Sequence, residues 1–278
     1  PAERVKSMPA LLGEADLVKT LQQLPGVAVG TEGMTGLYVR GGGADENLYL
    51  LDGNPVYHVN HLLGFFSAFN PDAIKNTRFY KGSFPAEYGG RLSSVVDVRM
   101  NDGNRQEYHG NISVGLLSAR ANLEGPIVKD RSSFNVSVRR TWLDLITGTA
   151  LAIVNKNSDT KESFGYHFFD INAKVNHSFS ERSRAYLSFY MGQDAFRQGS
   201  KEKHEDSDDM FLWRWGNLIG SAGWNYVFGQ KLFGNLMVGY SRFRSHIRQE
   251  AKGYEIEGNR AERQSIKRDS RYKSEMED

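Results

Sequence analysis

The chain has 278 residues, with 35 Lys and Arg against 33 Asp and Glu, a net charge of +2. That near-balance argues against a nucleic-acid partner, which would call for a basic excess, and the absence of cysteine excludes a disulfide framework and any Cys-based metal site. No apolar run approaches the roughly 18 residues of a membrane-spanning helix; the longest, Ala150 to Val154, is far too short.

In chain order, Glu14 to Leu24 reads as a helix, with Leu17, Val18, Leu21 and Leu24 on one face and Pro25-Gly26 as its stop. Short strands follow at Val27 to Val29, Leu37 to Arg40, Asn47 to Leu51 and Thr77 to Tyr80, with Asp52-Gly53 as a turn. His61 to Phe69 has the look of a short helix ended by Asn70-Pro71, and Leu92 to Met100 closes this part as a strand. Residues 1–104 are therefore expected to form a small α+β domain.

Residues 105–278 show a period of two. Ser133, Asn135, Ser137, Arg139 and Thr141 oppose Phe134, Val136, Val138 and Trp142. Asp170, Asn172, Lys174 and Asn176 oppose Ile171, Ala173 and Val175. Tyr186, Ser188, Tyr190 and Gly192 oppose Ala185, Leu187, Phe189 and Met191. Asn217, Ser221 and Asn225 oppose Leu218, Ala222, Trp224 and Tyr226, and Leu232, Leu236, Val238 and Tyr240 form a further apolar row. Between Tyr108 and Leu123 the parity flips after Leu116, as a tight turn between two strands would require. This gives roughly seven strands near the 9–11 residues that cross a bilayer when tilted. Short polar links at 128–132, 180–183 and 229–231 alternate with long ones at 147–166 and 196–212. Aromatic residues lie near the strand ends. Alternating short turns and long loops, with aromatic girdles, mark an outer-membrane barrel, whose polar lumen face keeps the average composition polar. A soluble β-sandwich also alternates, but its strands average about five or six residues.

Arg40-Gly41-Gly42-Gly43 follows a strand, but Ala44, Asp45, Glu46 and Asn47 lead into another strand rather than a helix, and the two acids would repel a phosphate. No nucleotide cofactor is expected. His58 and His61, with Asp45 and Glu46 nearby in sequence, lack a third fixed ligand, so no metal is expected there. The carboxylates of Lys201 to Asp209 suit a solvated loop better than a calcium site. No catalytic constellation stands out, and no enzyme activity is expected.

Four stretches, taken in order, are similar to the plug domain of TonB-dependent outer-membrane receptors. They are Leu37-Tyr-Val-Arg-Gly-Gly, Asn47-Leu-Tyr-Leu-Leu-Asp-Gly, Lys81-Gly-Ser-Phe-Pro-Ala-Glu-Tyr-Gly-Gly-Arg and Ser94-Val-Val-Asp-Val. Upstream, Leu17-Val-Lys-Thr-Leu-Gln-Gln-Leu-Pro-Gly-Val resembles the same family's opening helix. Gly-Gly-Ala-Asp-Glu-Asn at 42–47, Phe-Phe-Ser-Ala-Phe-Asn-Pro-Asp-Ala-Ile at 65–74, Leu123-Glu-Gly-Pro-Ile and Arg139-Arg-Thr-Trp resemble the Bacteroidota branch, whose members often carry an N-terminal carboxypeptidase-regulatory-like domain.

The resemblance implies a plug in residues 1–104 and the start of an antiparallel transmembrane β-barrel of about 22 strands in residues 105–278, wide enough to need a plugged lumen. It implies energised uptake of a scarce ligand, a TonB-type coupling protein acting through an upstream segment, a surface lipoprotein partner and contact with outer-membrane lipid. The plug would lie toward the periplasm and loops 147–166 and 196–212 outside. Tyr57, His58, Asn60 and His61 would face ligand or pack against the wall. Arg40 and Arg91 would pair with wall carboxylates or bind loop carbonyls within the plug. A rival reading is a receptor-like barrel that serves as a structural subunit of an outer-membrane assembly. Pro1 is not an initiator Met and no apolar leader follows it, so residue 1 is expected to be internal to a longer precursor. Residues 248–278 are expected to begin another strand at most, leaving the sheet open.

Overall fold

The computed structural model describes residues 15–30, 34–202, 207–257 and 264–277. The expected plug opens on helix α1 (Leu17–Gln22), capped by the Asp16 carboxylate, which accepts from the Lys19 amide at 3.1 Å. Leu17, Val18 and Leu21 form its buried face. Strand β1 (Val27–Ala28) pairs with β2 (Tyr38–Val39). Strands β3 (Asn47–Leu51), β4 (Asn54–Pro55), β7 (Ile74–Tyr80) and β8 (Ser94–Met100) make a sheet in the order β4-β3-β8-β7, with β3 and β8 parallel. Val96, Val98 and Met100 of β8 meet Tyr49 and Leu51 of β3 and the α1 leucines in one core.

Between them lie β5 (Asn60–His61) and β6 (Phe66–Ser67), joined by a single 3-10 turn at Leu62–Gly64. The helix expected over 61–69 is not formed. Leu62 and Leu63 sit at φ 50° and 53°, left-handed values that a right-handed helix cannot contain.

The remaining strands form one antiparallel wall: β9 (His109–Val114), β10 (Ser118–Val128), β11 (Ser132–Thr141), β12 (Thr160–Ser180), β13 (Ser183–Glu202), β14 (Ser207–Val227), β15 (Phe233–Glu257) and β16 (Gln264–Glu277). That is eight wall strands among the described residues, one more than expected, because the charged segment after 248 continues β15 and supplies β16. The parity flip after Leu116 is a tight turn: Gly115 donates to the Ser118 carbonyl, and Val114 pairs with Ala119.

Two expected long loops are largely ordered. The segment 147–166 holds part of helix α2 (Leu143–Val154) and the start of β12. The segment 196–212 is mostly the ends of β13 and β14, with 203–206 outside the described residues. These strand ends mix charges with aromatics, so a search for apolar rows stops short of them. The outer seven residues of β12, Thr160 to Tyr166, include only one large aliphatic or aromatic pair, Phe164 and Tyr166.

The wall alternates as the sequence requires. Ser133, Asn135, Ser137, Arg139, Thr141, Asp170, Asn172, Lys174 and Asn176 are buried, whereas Val136, Val138, Val175, Leu187, Phe189 and Trp224 are exposed. A buried polar row backed by an exposed apolar one is the inverse of a soluble sandwich and the arrangement of a membrane barrel. The described helices include none long and apolar enough to cross a membrane.

The chain divides into two compact units. The first is Pro1–Arg140, Phe169–Gly192 and Asn217–Phe243; the second is Thr141–Phe168, Gln193–Gly216 and Arg244–Asp278. In the first, the plug and the wall segments share a core that includes Tyr190 and Ile219. In the second, Thr147 on α2 donates to the Phe164 carbonyl of β12 at 3.0 Å, and Asp144 lies 3.5 Å from His167.

Candidate functional site

Within the first unit the plug meets the wall through polar side chains. Lys174, at the middle of the buried row of β12, places Nζ 3.2 Å from Asp52, 3.1 Å from Asp102 and 3.1 Å from the Met100 carbonyl, and 4.8 Å from the centre of the Tyr186 ring. Asp52 sits at φ 47° in the turn after β3, a conformation Asp tolerates better than most residues. This turn lets its carboxylate accept from the Met100 amide at 3.1 Å while reaching the wall. Burial opposes the charge on Asp102, but Lys174 and Lys75 outweigh it and hold the carboxyl below its ordinary range. The Asp102 carbonyl accepts from Ser133 at 2.7 Å and from Asn176 at 3.0 Å.

A second cluster centres on Asp170, which is fully buried. Arg139 on the neighbouring strand donates to it through Nε at 2.8 Å and Nη2 at 2.6 Å, and reaches the Ser67 carbonyl of the plug at 2.8 Å. His61 brings Nε2 to 3.5 Å from the same carboxylate. Further contacts are Arg120 with Asp72 at 2.8 Å, Asn217 to the His58 carbonyl at 2.6 Å and Ser241 to the Pro55 carbonyl at 2.6 Å. Two glycines permit close approach. A Cβ at Gly239 would fall on the Asn54 side chain, and one at Gly103 would strike the Phe134 backbone.

Such an interface can be opened. Each hydrogen bond contributes about 0.5–1.5 kcal/mol net because water replaces it on release. The plug's own apolar core, by contrast, stabilises it by about 25 cal/mol per Å² buried. The cost of separating the two lies in the two buried ion clusters and in the apolar contacts that wall Tyr190 and Ile219 make with the plug core.

The expected site residues are placed as follows. Tyr57 is 46% exposed. The His58 ring tilts on Phe243 at 5.8 Å, and its backbone pairs with Asn217, so it packs on the wall. Asn60 accepts from Thr35 at 2.6 Å within the plug. His61 is 3% exposed and turned toward Asp170, the wall-packing one of its two expected placements: a buried carboxylate draws it into the interface. Arg91 donates to the Gly90 carbonyl at 3.0 Å, and the Arg40 guanidinium lies beside Gly82; both are exposed. Among the described residues, wall Lys174 and Arg120 pair with plug acids and plug His61 lies against wall Asp170, while Arg139 pairs with Asp170 within the wall and reaches the plug at the Ser67 carbonyl. Sequence reading missed these three wall cations. Their signal was a cation standing in a row otherwise made of Ser, Asn and Asp.

A small α+β domain is thus seated, by polar contacts and a shared apolar core, on the buried face of a wide antiparallel wall, as a plug sits against part of a barrel. Residues 7–96 match the TonB-dependent receptor plug domain. The fold as a whole is that plug followed by an antiparallel sheet resembling part of a TonB-dependent barrel. The chain is similar to the outer-membrane transporter YddB of Escherichia coli, with 10% identity over 99% of this chain and 52% of that one and a TM-score of 0.50. It is also similar to the siderophore receptors PirA of Acinetobacter baumannii (14% identity, 93% and 45% covered, TM-score 0.48) and of Pseudomonas aeruginosa (16% identity, 91% and 53% covered, TM-score 0.45). The chain thus spans about half the length of these solved structures. No protein of curated function matches it.

Proposed function

We propose that this chain is the plug and the first strands of an outer-membrane receptor that takes up a scarce ligand by energised displacement of its plug. The observation that carries this is the polar seam between plug and wall, in which Lys174 and Arg139 clamp the plug through bonds that water can replace.

In this reading a TonB-type protein pulls on a segment preceding the plug. The protein is of the Bacteroidota type, with a carboxypeptidase-regulatory-like domain upstream and a surface lipoprotein partner, and residues 1–104 and 105–278 are plug and barrel. The tight turns at 129–131 and 181–182 face the periplasm, and the described parts of 147–166 and 196–212 face outside. Ligand meets the plug at Tyr57, with His58 and Asn60 behind it, while Arg91 binds the Gly90 carbonyl of its own loop and any barrel carboxylate that Arg40 or Arg91 meets lies outside the described residues of β9 to β16.

The test uses the absence of native cysteine from these residues. Asn54→Cys in the full-length receptor buries one thiol at the seam, where Asn54 is 5% exposed. In energised cells a membrane-impermeant maleimide should label it, and deletion of the coupling protein or collapse of the proton gradient should suppress labelling. Labelling indifferent to energisation would instead favour the structural-subunit reading.

A further inference from the structure

The second unit carries a division of charge that plug seating does not use. Along β12 burial alternates without a break from Asn176 to Tyr166, and along β13 the even positions from Ser188 to Asp194 are buried. In the second unit, side chains of the same parity include rings in contact, Trp215 buried and Phe164 exposed. Phe164 and Phe196 meet edge-on at 5.5 Å and Phe196 and Phe211 at 6.0 Å, while Trp215 lies 6.4 Å from Tyr166 and 4.2 Å from Trp213. The polar tips of this layer are occupied within it: Tyr166 donates to Asp194, and Trp213 Nε1 donates to Ser245 at 2.9 Å. Of these rings, Phe211 also lines the hollow beside the layer.

Beside the rings lies a hollow of about 460 Å³ lined by Glu162, Gln198, Asp209, Phe211, Gln249 and Glu250. Its size is that of a small-molecule site. Arg248 already holds Glu250, at 2.7 Å, so Glu162 and Asp209 set the sign of the space. Among the described residues, no Lys, Arg or His lines the hollow or joins the ring contacts. The cations fall on the alternate positions, at Lys161, Arg197, Lys201, Arg214 and Arg244.

We infer that this face binds an organic cation with a flat apolar body, its charge between Glu162 and Asp209 and its body on Phe211, Phe196 and Trp213. Ring faces attract a cation by about 0.5–2 kcal/mol when it is desolvated, Trp most of all. Carboxylates in a half-enclosed space add to that attraction and repel an anion. The same face is unsuited to an anionic ligand, which would need donors or cations where the acids stand. This assignment rests on the uptake reading, because it names the class of molecule such a receptor would admit.

Isothermal titration of the detergent-purified full-length receptor tests it with three probes on one skeleton: naphthylmethyl-trimethylammonium, naphthylmethanol and naphthoate. The cation should bind saturably and at least about tenfold tighter than the neutral alcohol, the difference made by one charge contact of about 1.4 kcal/mol, and naphthoate should bind more weakly than either. The Glu162→Gln, Asp209→Asn double variant should lose the tenfold preference and still bind the alcohol as before, which also shows that it folds. Trp213→Ala should weaken cation and alcohol together. Naphthoate binding as tightly as the cation, or a double variant that keeps the preference, would overturn the assignment. Because titration needs no energised membrane, its failure is separable from that of the maleimide test.

Discussion

Replacing Lys174 by Met removes one cation from between two carboxylates and changes little in volume. Losing one partner of a buried ion pair costs about 3–5 kcal/mol, chiefly because the other charge stays buried. Asp52 is left with the Met100 amide, while Asp102 keeps Lys75 and is partly exposed. The lower end therefore applies, about 3 kcal/mol, or about two orders of magnitude in the plug-opening equilibrium. Amide hydrogen exchange on the purified full-length receptor reads this directly. Amides of β3 and β8 should lose about a hundredfold in protection while those of the wall strands keep theirs. Adding Asp52→Asn should restore most of the loss by removing the stranded charge.

The pH dependence has a fixed sign. The Asp102 carboxyl titrates lower in the folded protein than unfolded, so its contribution is complete above the ordinary carboxylate pKa of about 4 and disappears as pH falls through the folded value. Plug protection should be flat from neutral pH down to about 5, then fall below about 4, and in Asp102→Asn the low-pH limb should flatten. Unchanged protection in Lys174→Met, or a loss that Asp52→Asn deepens, would refute the argument that Lys174 clamps the plug.

Arg139→Met should destabilise the β11–β12 wall by about 3–5 kcal/mol, since Asp170 is completely buried, and loosen the β6 side of the plug by the smaller amount of its one charged hydrogen bond to the Ser67 carbonyl; pairing it with Asp170→Asn should recover part of the wall loss in the same exchange experiment. Leu187→Arg tests the outward face: an arginine near the bilayer midplane costs about 2–4 kcal/mol, seen as a lowered urea midpoint for the receptor folded in lipid vesicles, whereas Ser188→Ala on the opposite face should leave that midpoint nearly unmoved. Burial, with Asp97 beside it, pushes the Tyr88 phenol up to about 12. Phenolate absorbance should show that titration, and Asp97→Asn should bring it down only in part, because burial is the larger cause. Gly103→Ala forces a side chain onto the Phe134 backbone at φ +80°, and should cost more than the usual 1–3 kcal/mol of a strained residue, read as early melting of the linker amides.

Much of the fold was legible because a period of two needs only the order of residues. Asn47 to Leu51 is a strand at the expected bounds, and Asp170 to Asn176 alternates as read. What failed did so for physical reasons. Leu62 and Leu63 look helical by composition, but pairing of Asn60 and His61 with Phe66 and Ser67 demands a tight reversal that puts both leucines at positive φ. Helix α2 was hidden because its apolar run borders no polar face: Leu143, Thr147 and Leu151 turn inward, while Leu145, Ile146, Ile153 and Val154 remain exposed, so no amphipathic stripe marks it. The outer halves of β12 to β14 were hidden because, among the described residues, charge sits on one face and rings share the other with acids, and no apolar row survives to be counted.

The candidate site was the least legible part, and the reason is general to a plugged barrel. In a soluble domain a buried charge advertises itself by standing in an apolar pattern. Here the buried face is the polar one, so Arg139 and Lys174 sit among serines and asparagines and read as ordinary exposed residues. Only the choice of side separates them. Once Val136, Val138 and Val175 are known to face outward, every residue of the opposite parity is committed to the lumen, and a lysine or arginine there must find an acid or remain costly. The plug supplies the acids from turns, Asp52 after β3 and Asp102 after β8, because only an irregular segment can bring a carboxylate out of its own sheet to meet the wall. Both histidines are taken up by the wall, His58 at Phe243 and Asn217 and His61 in the Asp170 cluster, whereas Tyr57 stays in solvent; the plug surface able to meet a ligand is therefore narrower than its run of aromatic and imidazole residues suggests.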